Sequence, residues 1–131
     1  MIGKSKEILK KFWGYEDFRE AQKPIIEAVL SGRDVLALLP TGGGKSICFQ
    51  VPGVAFGKLT LVISPLISLM DDQVSNLKQR NLRAVALTSA LNYRDIERIV
   101  NNAVLGAYDF LYLSPERIQT PFFRDKLKQL P

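Results

Sequence analysis

The chain has 131 residues, the usual length of one domain, and carries a net charge of +5 with no histidine. Its hydrophobic content of 47% fits a soluble globular domain, and no apolar run approaches the roughly 20 residues that span a bilayer. The single cysteine, Cys48, excludes an internal disulfide and a cysteine-rich zinc site. The first residues carry no apolar signal segment, so we expect a cytoplasmic protein with no membrane partner. The basic excess suits a polyanion, although many small basic proteins bind no nucleic acid.

Two amphipathic helices are predicted at the start of the chain. The apolar spacing over residues 5–13 indicates the first helix. Asp17 and Glu20 stand three residues apart, as in a capping box, and a second helix follows to about residue 31. Pro24 requires either a kink in that helix or a later start.

The rest of the chain alternates short apolar runs with amphipathic segments. The apolar runs predict strands at 34–39, 59–63, 84–87 and 110–113. The segments between and after them predict helices at about 45–56 and 66–80, one starting near Asn92, and one at about 121–129. This alternation predicts an α/β fold with a parallel sheet flanked by helices. Ligands of such sheets bind at the carboxyl ends of the strands.

A glycine-rich stretch lies between the first of these strands and the following helix: Leu39-Pro40-Thr41-Gly42-Gly43-Gly44-Lys45-Ser46. This is the context of a phosphate-binding loop, although Leu39 stands where the general pattern has glycine. Glycines let backbone N–H groups surround an anion, and the helix N-terminus adds partial positive charge. Lys45 would reach the β and γ phosphates, and the Ser46 hydroxyl would bind Mg²⁺. The alternative, a glycine-rich turn with a solvated lysine, does not require this strand–helix context.

Several blocks together resemble superfamily 2 helicases and, among these, the RecQ-type DNA helicases. The blocks are Pro40 to Ser46, Gly14-Tyr15-x-x-Phe18-Arg19-x-x-Gln22, Ser64-Pro65-Leu66-Ile67-Ser68-Leu69-Met70-x-Asp72-Gln73-Val74 and Leu113-Ser114-Pro115-Glu116-Arg117. The resemblance implies a P-loop (RecA-like) sheet, ATP and Mg²⁺ as cofactors, and single-stranded and duplex DNA as partners. It implies ATP-dependent unwinding in DNA repair, recombination or replication, with Lys45 as the catalytic residue. A stand-alone P-loop nucleotide-binding module or small kinase remains the alternative.

The resemblance implies a nucleotide site made of residues from two blocks. Tyr15 would stack on adenine, while Arg19 and Gln22 would read the edge of the base. Phosphates would be bound by Thr41, Gly42, Gly43, Gly44, Lys45 and Ser46. Alternatively, Tyr15 and Phe18 form a hydrophobic staple between the N-terminal helices. A staple does not need Gln22, so Gln22 distinguishes the two interpretations.

The resemblance also implies a contact with single-stranded DNA at the strand ends. Ser64, Ser68, Thr88 and Ser89 would contact phosphates, because hydroxyls and amides grip the backbone without reading sequence. These side chains could equally be helix caps and strand ends. Glu116 and Arg117 would start a helix, with Arg117 on a phosphate, or else would form a surface ion pair of little energetic value.

Parts of such a motor do not occur in these residues. An acidic Asp-Glu-x-His block and a second motor lobe are absent from the sequence. We therefore expect residues 1–131 to be a partial helicase ATP-binding domain, with the adenine motif in 1–32 and the βα units in 33–131. Alone it would be inactive, would need the remainder of the helicase, and would tend to self-associate. The family's missing strands lie beside strand 34–39, which would pair with strand 59–63, pair with a second copy, or stand apart.

Overall fold

A computed structural model describes residues 2–39, 44–88 and 91–131 of the chain. Its secondary structure divides into two units, Met1–Gly57 and Lys58–Pro131. The predicted α/β class is confirmed, because helices flank a parallel sheet. Among the described residues, no helix is long and apolar enough to cross a membrane.

The first unit is helical. The helix α1 continues directly into a π-helical segment, and Gly14 closes it in the left-handed conformation with φ 80°. The N–H of Gly14 donates to the carbonyls of Leu9 and Lys10, which satisfies two groups at the helix end. The helical segments are α1 (Ile2–Ile8), the π-helical segment (Leu9–Trp13), α2 (Lys23–Leu30) and α3 (Ile47–Phe56).

The start of α2 decides between the two expectations for Pro24. The helix begins at Lys23 with Pro24 in its first turn, where a missing N–H costs nothing, so the later start is the one observed.

The predicted capping box is wrong, because Asp17 and Glu20 precede the helix. Asp17 instead accepts a hydrogen bond from its neighbour's N–H at 2.8 Å, and Glu20 pairs with Lys23 at 3.1 Å.

The core of the first unit joins its π-helical segment to α2 and α3. Six buried residues form it, and they come from the π-helical segment, the loop before α2, α2 and α3: Leu9, Phe18, Ile26, Leu30, Val51 and Ala55. Because α2 and α3 share this core, the loop before α2 is held near the start of α3.

The predicted strand 34–39 is wrong. Residues 33–39 have no regular secondary structure, and the side chains of Leu36 and Leu38 are 87% and 85% exposed. A strand persists only where a neighbour takes up its backbone N–H and C=O groups. The described strands are all elsewhere in the chain, so neither the expected pairing with 59–63 nor an isolated β segment forms.

The second unit contains the sheet. Its strands are all parallel in the order β1-β3-β2, with Leu61 and Val85 both opposite Leu111. The predicted strands at 59–63, 84–87 and 110–113 are confirmed to within one residue. The elements are β1 (Thr60–Ile63), α4 (Ile67–Gln79), β2 (Ala84–Leu87), α5 (Tyr93–Val104), β3 (Phe110–Leu113), α6 (Pro115–Ile118) and α7 (Pro121–Leu127).

Local signals explain where the helices of this unit start. The Asn92 side chain accepts a hydrogen bond from the Asp95 N–H at 2.9 Å, so the predicted start of α5 is confirmed. The short helix α6 occupies the Ser-Pro-Glu-Arg block with Glu116 in its first turn, so the expectation that Glu116 and Arg117 start a helix is confirmed. The buried core lies between the central strand β3, α5 and α7, and is made of Leu87, Ile96, Ile99, Val100, Leu111, Leu113 and Phe123.

Candidate functional site

In the first unit, Gln22 connects the N-terminal block to the glycine-rich loop. Its side chain is 2% exposed. Its Oε1 accepts from the backbone N–H of Arg19 at 2.8 Å, and its Nε2 donates to the carbonyl of Gly44 at 3.1 Å. The predicted base-reading residue thus touches the predicted phosphate loop, a link between positions 22 residues apart that no local sequence signal indicates.

Gly44 is required at this contact. Its φ is +78°, and a Cβ atom there would collide with the amide nitrogen of Gln22. A left-handed φ strains any larger residue, and a Cβ would force the Gln22 side chain away from this contact. The thiol of Cys48 also donates to the Gly44 carbonyl, at 3.8 Å. Burial raises the pKa of the Cys48 thiol, so it stays protonated and acts as a donor.

A cavity of about 350 Å³ lies over this contact. The Tyr15 ring lines it and is 54% exposed, whereas Phe18 is buried in the core of the unit. Tyr15 and Phe18 therefore lie in different surroundings, and they do not form a hydrophobic staple together. The cavity is lined by Leu9, Tyr15, Asp17, Arg19, Gln22, Gly44 and Ile47.

Asp17 gives this cavity a fixed negative group. A hydrogen bond from the Phe18 N–H, opposed by partial burial and aided by Lys23 and Lys6, lowers the pKa of Asp17. Its carboxylate lies 3.3 Å from the Lys23 ammonium and 3.5 Å from that of Lys6. Asp17 therefore stays charged near neutral pH, and the two lysines reduce its repulsion of an anionic ligand.

Lys45 and Ser46 precede α3 directly. Lys45 is exposed and Ser46 is half-buried at the N-cap of the helix. A small donor set beside a helix N-terminus, next to a glycine that admits close approach, fits a phosphate with its Mg²⁺. Within the described parts of the chain, no group of three or more His, Cys, Asp or Glu side chains could hold a metal ion. Thr41, Gly42 and Gly43 lie outside the described residues.

In the second unit, a cavity of about 420 Å³ opens at the carboxyl ends of the strands. It brings together Thr88 and Arg117, while Pro65 and Ile67 border it on the side of β1. The remaining lining residues are Met70, Leu87, Ser114, Glu116 and Thr120.

Ser64 and Ser68 are not in the lining of this cavity, and Ser89 lies outside the described residues. Ser64 instead accepts from the Leu66 N–H at 3.2 Å, and Ser68 is an exposed residue of α4.

The guanidinium of Arg117 is only partly satisfied. Its Nη2 donates to the Thr88 carbonyl at 3.3 Å, which ties α6 to the loop after β2. Its Nε is buried and, among the described residues, has no hydrogen-bond partner. An unpaired buried donor is costly, and an anion in the cavity would satisfy it. Glu116 does not fill this place, because its own backbone N–H and the Ser114 hydroxyl hold its carboxylate and lower its pKa.

Comparison with known proteins connects both units to one family. The family model of the DEAD/DEAH box helicases matches residues 19–131. A protein of Bacillus subtilis that bears the name "Probable ATP-dependent DNA helicase RecS" is 46% identical over 98% of this chain and 26% of the relative. The ATP-dependent DNA helicase RecQ of Haemophilus influenzae is 43% identical over 88% of this chain and 19% of the relative. The chain thus spans about a quarter or less of the length of these relatives.

A solved structure shares the fold at low sequence identity. The crystal structure of a hypothetical ATP-dependent RNA helicase from Sulfolobus tokodaii superposes with a TM-score of 0.70 and is 20% identical. The match covers 99% of this chain and 39% of that one. The likeness supports the fold and does not distinguish DNA from RNA as a substrate.

Proposed function

The chain belongs to the DEAD/DEAH box helicase family, and we propose that its intact protein is a RecQ-type helicase that couples ATP hydrolysis to DNA unwinding. The observation that carries the proposal is the hydrogen bond from Gln22 to the Gly44 carbonyl. It supports one continuous nucleotide site, with base-recognition residues on one side and the phosphate loop on the other. A small kinase does not require such an N-terminal block.

We assign the nucleotide contacts by chemistry. Tyr15 offers its exposed ring for stacking on adenine, while Arg19 and Gln22 face the base edge. Gly44, Lys45 and Ser46, with Thr41 to Gly43, bind the phosphates. Mg²⁺, held by the Ser46 hydroxyl, would neutralise phosphate charge when ATP is bound. The Lys45 ammonium stabilises the negative charge that develops on the transferred phosphoryl group.

We assign the DNA backbone to the cavity of the second unit. Arg117 presents its unsatisfied Nε to a phosphate, and Thr88 lies beside it. We assign further backbone contacts to Ser64 and Ser68, which lie outside the lining of this cavity, and to Ser89, which lies outside the described residues. Hydroxyls and a single guanidinium bind phosphates without reading bases, which suits a motor that moves along any sequence. Roles in DNA repair, recombination or replication follow from that activity.

Lys45→Ala in the intact protein tests the proposal. We expect ATP turnover to fall by several orders of magnitude, because the charge stabilising the transition state is lost. Lys58→Ala is the matched control, since Lys58 is also exposed but lies outside both cavities. ATP hydrolysis by the unmodified protein should rise when single-stranded DNA is added. Near-normal turnover in Lys45→Ala rejects the site, whereas turnover indifferent to DNA favours a stand-alone nucleotide-binding module.

A further inference from the structure

We propose that Tyr93, Phe122 and Lys126 form a stacking platform for an unpaired base of single-stranded DNA. We call these three residues the Tyr93 platform. The inference rests on the proposed function and extends it, because none of the three belongs to the sites assigned above. It predicts a second kind of DNA contact, made to a base rather than to the backbone.

The geometry of the platform supports a ring that is held in place and open on one side. Tyr93, the first residue of α5, is 63% exposed. Its ring centroid lies 5.8 Å from that of Phe122, with the planes inclined at 59°. Phe122 is half-buried against the core of the unit, so the Tyr93 ring contacts a partner that the core holds in place. A supported aromatic ring with an exposed face is the arrangement on which bases stack.

A cation completes the platform. The Lys126 ammonium lies 5.9 Å from the centroid of the Phe122 ring, within the range of a cation–π contact. Arg124 on the same helix and Lys128 directly after it are exposed, whereas Asp125 is the one acidic residue of the helix. Positive charge next to an exposed aromatic ring favours binding of nucleic acid, because the cations attract the phosphates and the ring stacks on a base.

The platform lies at the same edge of the sheet as the phosphate cavity. Helix α5 begins after the carboxyl end of β2, and α7 begins after the carboxyl end of β3. Thr120 lines the cavity and also caps α7, where its hydroxyl accepts from the Phe123 N–H at 3.4 Å. Phe122 is therefore only two residues beyond the cavity wall. A strand whose phosphate meets Arg117 has a neighbouring base within this region of the surface.

The test compares two oligonucleotides with the same phosphates in the intact protein. One is oligothymidylate, and the other is an abasic strand of equal length; binding is followed by fluorescence anisotropy. We expect Tyr93→Ala to weaken oligothymidylate binding roughly 5- to 150-fold, the usual range for one lost stacking contact, and to leave abasic binding unchanged. Tyr93→Phe, which keeps the ring, should bind both strands like the unmodified protein.

Two controls separate the platform from general effects. Leu105→Ala removes an even more exposed apolar side chain directly after the far end of α5 and should change neither affinity. Tyr93→Trp enlarges the ring and should retain or increase oligothymidylate affinity. An unchanged circular dichroism spectrum and melting curve of Tyr93→Ala will show that the unit containing the sheet is folded.

Each contrary result has a distinct meaning. Unchanged oligothymidylate binding in Tyr93→Ala, or an equal loss on the abasic strand, overturns the platform. If DNA still stimulates ATP hydrolysis in that case, the proposed function stands without it. If the unmodified protein binds neither strand, both the platform and the proposed DNA substrate are rejected.

Discussion

Replacing Gln22 with alanine tests whether this side chain serves the nucleotide, the loop, or both. In the structure, its Oε1 and Nε2 each make one hydrogen bond within the chain. An amide oxygen can accept a second bond, and an amide nitrogen can donate a second. The remaining positions are those that an adenine edge would use. Gln22 can therefore hold Gly44 and read the base at the same time.

The structure sets the size of the effect on stability. Gln22→Ala leaves the Arg19 N–H and the Gly44 carbonyl without this partner, and each unpaired buried group costs about 1–3 kcal/mol. The Gly44 carbonyl keeps the Cys48 thiol at 3.8 Å, and the adjoining cavity admits water to the Arg19 N–H. We therefore expect each of the two groups to cost about 1 kcal/mol, the lower end of this range. Together they lower the free energy of unfolding by about 2 kcal/mol.

The assay measures stability and nucleotide preference in the same variants. Thermal unfolding reports the first, and calorimetric titration with ATP and with GTP reports the second. If Gln22 reads adenine, ATP binding should weaken by about 5- to 150-fold and GTP binding by much less, since only ATP loses its base contacts. Gln119→Ala, an exposed glutamine after α6, is the matched control and should change neither quantity.

Two results would contradict this reasoning. Equal losses for ATP and GTP, together with lower stability, would show that Gln22 only supports the loop. Unchanged stability would show that the two hydrogen bonds do not carry the assigned energy. Gln22→Glu adds a second measurement, because it can still accept from the Arg19 N–H but cannot donate to the Gly44 carbonyl.

Two further predictions concern the second unit. Arg117→Ala should weaken binding of single-stranded DNA and reduce the slope of log affinity against log salt by about 0.7, because one phosphate contact is lost; an unchanged slope would indicate that Arg117 only positions Thr88. Burial raises the pKa of Asp109, but hydrogen bonds and charge from Arg83 outweigh it and lower the pKa overall. The pair therefore stabilises the fold above the ordinary aspartate pKa of about 3.9 and loses this effect as pH falls through the lower folded value. With Asp109→Asn, the free energy of unfolding measured in urea should fall less steeply as the pH is lowered. The difference should be modest because Arg83 is exposed. A pH profile identical to that of the unmodified protein would refute the assignment.

Local sequence signals predicted most elements, and those that depend on distant partners were missed. The start of α5 is encoded by Asn92 and Asp95 within one turn, so pattern and structure agree. Residues 33–39 have an equally clear apolar pattern but form no strand, because a strand needs a neighbour that the pattern does not report. The contact between Gln22 and Gly44 likewise depends on the shared core of α2 and α3 and has no signature along the chain.

The separate core of each unit determines what a spectroscopic unfolding experiment observes. Trp13 is the single tryptophan of the sequence, and it packs against the core of the first unit. Its emission therefore follows the folding of the first unit, whereas the sheet contributes no tryptophan signal. The buried Tyr112, whose hydroxyl donates to Gln73 at 2.7 Å, belongs to the sheet. A melting curve recorded at tryptophan wavelengths thus measures Met1–Gly57, and circular dichroism is needed to follow Lys58–Pro131.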